Sequence, residues 1–124
     1  MKRPLRADQL DWTIWYAGTR QEIRGAALCD VGGRAKVGVG VLELSPGCDT
    51  APAHWHTHEE EHLYVLSGRL VLHLGDERFE LEPGAYVCFP AGQEVFHKLE
   101  NRGDQPARYL MIGERIEADR VVHA

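Results

Sequence analysis

The chain has 124 residues, 44% hydrophobic and 27% charged, with a formal net charge of -5 at pH 7. This is the composition of one folded domain with its own core. It excludes a disordered chain and, since the only early basic cluster is Lys2, Arg3 and Arg6, a nucleic-acid-binding surface.

The first ten residues are charged and no apolar run follows them, so no secretory leader is expected. No segment approaches the ~18 apolar residues of a membrane span. Cys29, Cys48 and Cys88 are odd in number and lack a Cys-x-x-Cys spacing. They read as reduced thiols of a cytoplasmic protein.

In chain order, Trp12, Ile14 and Tyr16 alternate with polar or aromatic neighbours and predict a strand. Residues 20–24 continue it or form a loop. From Lys36 the pattern sharpens: Val37, Val39 and Val41 share one face with glycines between them, and the run ends at Ser45-Pro46-Gly47. Residues 62–66, 69–74, 78–81, 85–89, 96–99 and 108–112 are further strands, separated by Ser67-Gly68, Gly75-Asp76, Pro83-Gly84, Pro90 and the turn 101–106. The charged tail 114–122 is a final strand or a short helix. Eight or more short strands with frequent turns predict an all-β sandwich or barrel. Residues 1–36 are expected to be a strand and loop segment of the same domain, and 37–124 the barrel.

Chemistry concentrates in Ala53–His62, AHWHTHEEEH, which holds four of the seven histidines. His54 and His56 are two apart, so on a strand both face one side. Glu61 opens the next strand, sharing a face with Leu63 and Val65. A carboxylate on an otherwise apolar face needs a partner, and imidazole with carboxylate suits a first-row transition metal. His58 and His62 break the ligand spacing, and His62 faces away from Glu61. His73 can point either way, and His123 is expected to be solvated. Trp55 faces away from the flanking histidines. Tyr64, Tyr86, Phe89 and Phe96 either line a pocket or fill the core, and core is the better expectation for each. Cys88 reads as a small hydrophobe.

Gly47, His54-Trp55-His56, Glu61 and Gly68, followed by Gly84, Pro90-Ala91-Gly92, His97 and Asn101, resemble the two consecutive motifs of the cupin family. The resemblance runs from about Val37 to Ile112, and the wording from Phe89 onward is similar to small bacterial single-domain cupins of the cupin 2 type. Two gaps depart from the family pattern. The first, after Gly47, is one residue longer. The second, before His97, is two residues longer, so a bulged loop is expected there.

The resemblance implies a double-stranded β-helix, a jelly-roll-like barrel. It implies His54, His56, Glu61 and His97 as ligands of one divalent transition metal (Fe, Mn, Ni, Zn or Cu). Gly47, Gly68, Gly84 and Gly92 would serve turns, Pro90 would stiffen the approach to His97, and Asn101 would tie down a turn. It further implies a small-molecule ligand or substrate, no nucleic acid or membrane partner, and a homodimer. The outward Tyr64 and Leu66 would then meet a partner sheet or pack under the N-terminal segment. A metal-dependent enzyme, dioxygenase-like or else an isomerase or lyase, is the first expectation. Glu59, Glu60, His73 or Tyr86 would be its acid or base. A non-catalytic binding or sensing barrel is the second. The thirty-six residues before Val37 read as strand and loop, so no DNA-binding helical domain is expected among them.

Overall fold

The computed structural model describes residues 3–29 and 35–124. Among them are eleven strands and one 3-10 turn, Ala7–Gln9. The strands are β1 Thr13–Trp15, β2 Ile23–Ala27, β3 Val37–Leu44, β4 His54–His56, β5 Glu61–Ser67, β6 Leu70–Leu74, β7 Glu77–Leu81, β8 Tyr86–Phe89, β9 His97–Glu100, β10 Ala107–Glu114 and β11 Val121–His123. They form two antiparallel sheets, one of six strands in the order β1-β2-β3-β10-β5-β8 and one of five in the order β11-β4-β9-β6-β7. No helix among the described residues is long and apolar enough to cross a membrane.

The turns follow from local chemistry. At Gly68 the backbone has φ +75, a conformation that side chains rarely adopt. A Cβ there would lie 2.7 Å from the Ala107 Cα and the Pro106 carbonyl oxygen, so the turn between β5 and β6, which carries the chain from one sheet to the other, also needs the missing side chain in order to close against β10. Asn101, 1% exposed, pins the next turn. Its Nδ2 donates to the Leu44 and Gln105 carbonyls, each at 2.9 Å, and its Oδ1 accepts from Gly103 N–H at 2.9 Å.

Period-2 alternation builds the core. Leu63 and Val65 of β5, Leu70 and Leu72 of β6, Leu99 of β9 and Tyr109 of β10 meet between the sheets, each buried to 4% exposure or less. On β3 the inward side carries Gly38, Gly40, Leu42 and Leu44, because Leu42 is paired with Tyr109 and Gly40 with Met111. The valine face is the outer one: Val41 pairs with Leu110, which pairs with the exposed Tyr64. Glycines on the inner face leave space that larger residues would fill.

The N-terminal segment lies against the outer face of the large sheet, where the Trp12 ring meets the guanidinium groups of Arg108 and Arg24 at 4.8 and 5.7 Å. Both arginines pair with Glu43. That segment does not bury Tyr64 and Leu66, which stay 44% and 41% exposed. The charged tail contributes β11, which runs antiparallel to β4.

Candidate functional site

Strand alternation turns His54 and His56 to the same side of β4, and β9 pairs with β4 so that His97 lies directly across from His54. The rings of His54 and His97 are 4.6 Å apart and those of His54 and His56 5.2 Å apart. The two extra residues before His97 are taken up by the loop 91–96. It is anchored by Gly92 N–H on the His56 carbonyl at 2.8 Å and by Gly75 N–H on the Phe96 carbonyl at 2.9 Å.

Glu61 reaches the same spot from the opposite sheet. It faces inward beside Gly113 of β10, where a Cβ would stand 3.5 Å from the Glu61 Cγ. Ligand atoms of His54, His56 and Glu61 all lie within 4.8 Å of one another. His97 stands just outside that triple, its Nε2 3.8 Å from Glu61 Oε1. Its ring is 6% exposed and stacks on Phe89 at 3.9 Å.

His56 is oriented by a residue that sequence reasoning missed. Asp119 Oδ2 lies 2.8 Å from His56 Nδ1, and Asp119 Oδ1 accepts N–H bonds from His58 at 2.9 Å and Glu59 at 3.0 Å. Burial opposes ionisation of Asp119, but the bond to His56 and the two backbone N–H bonds outweigh it and hold its carboxyl down to about 2. With Nδ1–H donating to that carboxylate, Nε2 is left as the unprotonated ring nitrogen on the side toward Glu61. The only sequence signal was an acid in the charged tail.

Glu61 Oε1 lies 3.0 Å from His56 Nε2, yet it is a buried atom with no hydrogen-bond partner, because the approach is not along an N–H···O line. Burial pushes the Glu61 carboxyl up, but the imidazoles of His97, His56 and His54 pull it below the usual range. Burial first, then the charges of His97 and His56, lower His54 against the opposing pull of Glu61. The site thus offers an ionised carboxylate and a neutral imidazole, the forms that bind a metal. A buried carboxylate oxygen close to ring nitrogens but hydrogen-bonded to none of them fits a cation held between them.

A cavity of about 190 Å³ opens beside these side chains, lined among others by Leu42, His54, Glu61, His97, Tyr109 and Met111. Leu42 and Met111 also wall a second cavity, of about 290 Å³, with Trp15, Ala27 and Arg115 on its lining. Tyr109 is 1% exposed, and burial together with the Glu61 charge keeps its phenol protonated far above the ordinary range.

The other residues singled out lie elsewhere. Glu60 and Tyr86 face outward and bond to His62. His73 faces away from the core beside Glu100. Glu59 accepts the Ile116 N–H at 2.9 Å, and His58 is exposed and bonded to Thr57. None of these lines the cavity beside Glu61. Tyr64 and Tyr86 are exposed, Phe89 is buried, and His123, though exposed, has its ring 6.1 Å from that of His54.

Residues 40–113 match the family model described as a cupin domain, Cupin_2. A sugar phosphate isomerase of Silicibacter pomeroyi superposes with a TM-score of 0.86 at 27% identity, over 98% of this chain and 82% of that one. Polyketide synthase CurC of Streptomyces cyaneus is 33% identical over 58% of this chain and 45% of its own length. Quercetin 2,3-dioxygenase of Bacillus subtilis is 34% identical over 52% of this chain and 19% of its own. The chain therefore spans less than half the length of these two curated relatives.

Proposed function

The chain belongs to the cupin family, and from that premise we propose that it is a metal-dependent enzyme acting on a small organic molecule, with His54, His56, Glu61 and His97 holding one divalent transition ion. The observation that carries this reading is the buried, unbonded Glu61 Oε1 facing His56 Nε2 at 3.0 Å. An ion of this class supplies Lewis-acid or redox chemistry.

The protein's own part is orientation and exclusion of water. Asp119 fixes the His56 ring, Phe89 fixes the plane of His97, and Glu61 brings negative charge to an apolar wall. Leu42, Met111 and the Tyr109 ring offer a largely apolar surface, which suits an aromatic or weakly polar substrate. The Tyr109 phenol stays neutral and can act only as a hydrogen-bond donor or acceptor. Dioxygenase-like chemistry is the preferred form of the reaction, supported by the likeness to quercetin 2,3-dioxygenase.

Elemental mass spectrometry on tag-free protein tests the site, with the double variant His56→Ala, Glu61→Ala beside it. The expected result is about one first-row metal per chain in the native protein and none in the variant. Oxygen uptake on polyphenolic compounds then tests the reaction. A native protein that stays empty after incubation with each ion overturns the metalloenzyme. A loaded protein that retains ligands without consuming them makes it a binding module.

A further inference from the structure

The strand that carries Glu61 inward must carry its neighbours outward. Glu60 and His62 flank Glu61, so the alternation that aims Glu61 into the barrel places both on the outer face of the six-stranded sheet. Directly across from His62 on β8 is Cys88, and directly opposed residues in an antiparallel pair bring their side chains together. Ligand atoms of Glu60, His62 and Cys88 all lie within 4.8 Å of one another.

The His62 ring is already held. Tyr86 Oη lies 2.6 Å from its Nδ1, and its Nε2 lies 2.7 Å from Glu60 Oε2. The two contacts are mutually consistent when the phenol donates to Nδ1 and Nε2–H donates to the carboxylate. The Nε2 proton then occupies the place between nitrogen and oxygen that a cation could take. The Tyr86 ring stacks near that of His62 at 5.8 Å and limits its rotation. His62 and Glu60 side chains are 33% and 45% exposed, so an ion reaches them from solvent and keeps water as a ligand.

We propose that Glu60, His62 and Cys88 form a second transition-metal site on the outer surface, separate from the interior histidine cluster. Thiolate, imidazole and carboxylate together select a borderline ion such as Zn²⁺ over Ca²⁺ or Mg²⁺. Binding displaces the Nε2 proton of His62 and the thiol proton of Cys88 into solvent. The site stands whether or not the interior cluster holds a metal.

Cobalt(II) separates the two sites, because only the outer one contains sulfur. Metal-stripped full-length protein titrated with Co²⁺ should develop a thiolate-to-cobalt charge-transfer absorption. The variant His56→Ala, Glu61→Ala should keep that absorption, Cys88→Ser should abolish it, and His62→Ala should lose most of it at matched Co²⁺. Zn²⁺ should bleach it by displacement. Cys88→Ser preserves size and His62 is partly exposed, so neither change threatens the fold, which far-UV circular dichroism checks. No charge-transfer band in the native protein overturns the proposal. So does a band that survives Cys88→Ser, which would place the sulfur at Cys29 or Cys48, or one indifferent to His62→Ala.

Discussion

The substitution Asp119→Asn separates ring orientation from bulk structure. The carboxylate accepts a hydrogen bond from His56 Nδ1–H at 2.8 Å and, through its other oxygen, from two backbone N–H groups at 2.9 and 3.0 Å. The replacement amide can keep Oδ1 on those two N–H groups, but it must then turn an NH₂ toward Nδ1, where two donors would face each other. The ring escapes only by moving its proton to Nε2, the nitrogen 3.0 Å from Glu61 Oε1, or by rotating away. Loss of such a supporting carboxylate typically weakens metal binding by about 10- to 100-fold, equivalent to about 1.4 to 2.7 kcal/mol. Asp119→Ala should match that loss and add about 1 kcal/mol of destabilisation from the turn N–H groups, which solvent partly satisfies. Competition of each purified variant against a chelator of known affinity gives the binding ratio, and thermal melts of the stripped proteins give the structural part. If the Asp119→Asn variant binds metal as tightly as the native protein, the orienting role is refuted.

Asn101→Ala strips two carbonyls and one N–H of their partner inside the core and should cost about 3 kcal/mol, read from urea unfolding. Gly68→Ala places a Cβ 2.7 Å from backbone atoms at φ +75. It should destabilise by at least about 2 kcal/mol, combining left-handed strain with a contact that rigid backbone cannot relieve; an unchanged melting temperature would contradict this. Asp49 receives N–H bonds from Ala51 at 2.9 Å and Gln21 at 3.2 Å. Burial opposes its ionisation, yet these bonds and the Lys98 and Arg20 charges leave its carboxyl below the usual value. A lowered folded-state pKa stabilises above the unfolded value and is lost as pH falls through the folded one. Relative to Asp49→Asn, the native protein should therefore lose stability as pH drops below about 4, with no change in the difference between pH 6 and 8.

The strand grammar was legible because glycine and proline mark the turns and the core runs alternate. β2 was not, since Ile23–Ala27 has no clear alternation and contains Gly25. The structure explains that glycine: a Cβ would collide with the Leu42 Cδ2 and stand 2.9 Å from the Trp15 ring. The approach of His54, His56, Glu61 and His97 could be anticipated from strand parity and family resemblance. Asp119 could not, because it reaches His56 through the pairing of β11 with β4 across more than sixty residues of chain. The aromatics were ambiguous for a related reason. Tyr64, weighed as a core residue, and Tyr109, which the sequence did not single out, belong to neighbouring strands but face opposite ways. That difference depends on the β5–β10 register and its irregularity between Arg108 and Tyr109, which composition does not encode.

His54, His56 and His97 belong to the five-stranded sheet and Glu61 to the six-stranded one. The barrel end at this point therefore behaves as a clasp. Without a cation, no hydrogen bond ties Glu61 Oε1 to the histidines across the gap, and the Leu63, Val65 and Tyr109 layer below holds the two jaws together. With a cation, the same atoms become a cross-link between sheets that share no backbone ladder there. Opening should accordingly be a hinge-like breathing of the mouth about the closed hydrophobic layer. Amide exchange would then be fastest around residues 54–56 and slowest at 63–65, and the difference would shrink when the clasp is shut.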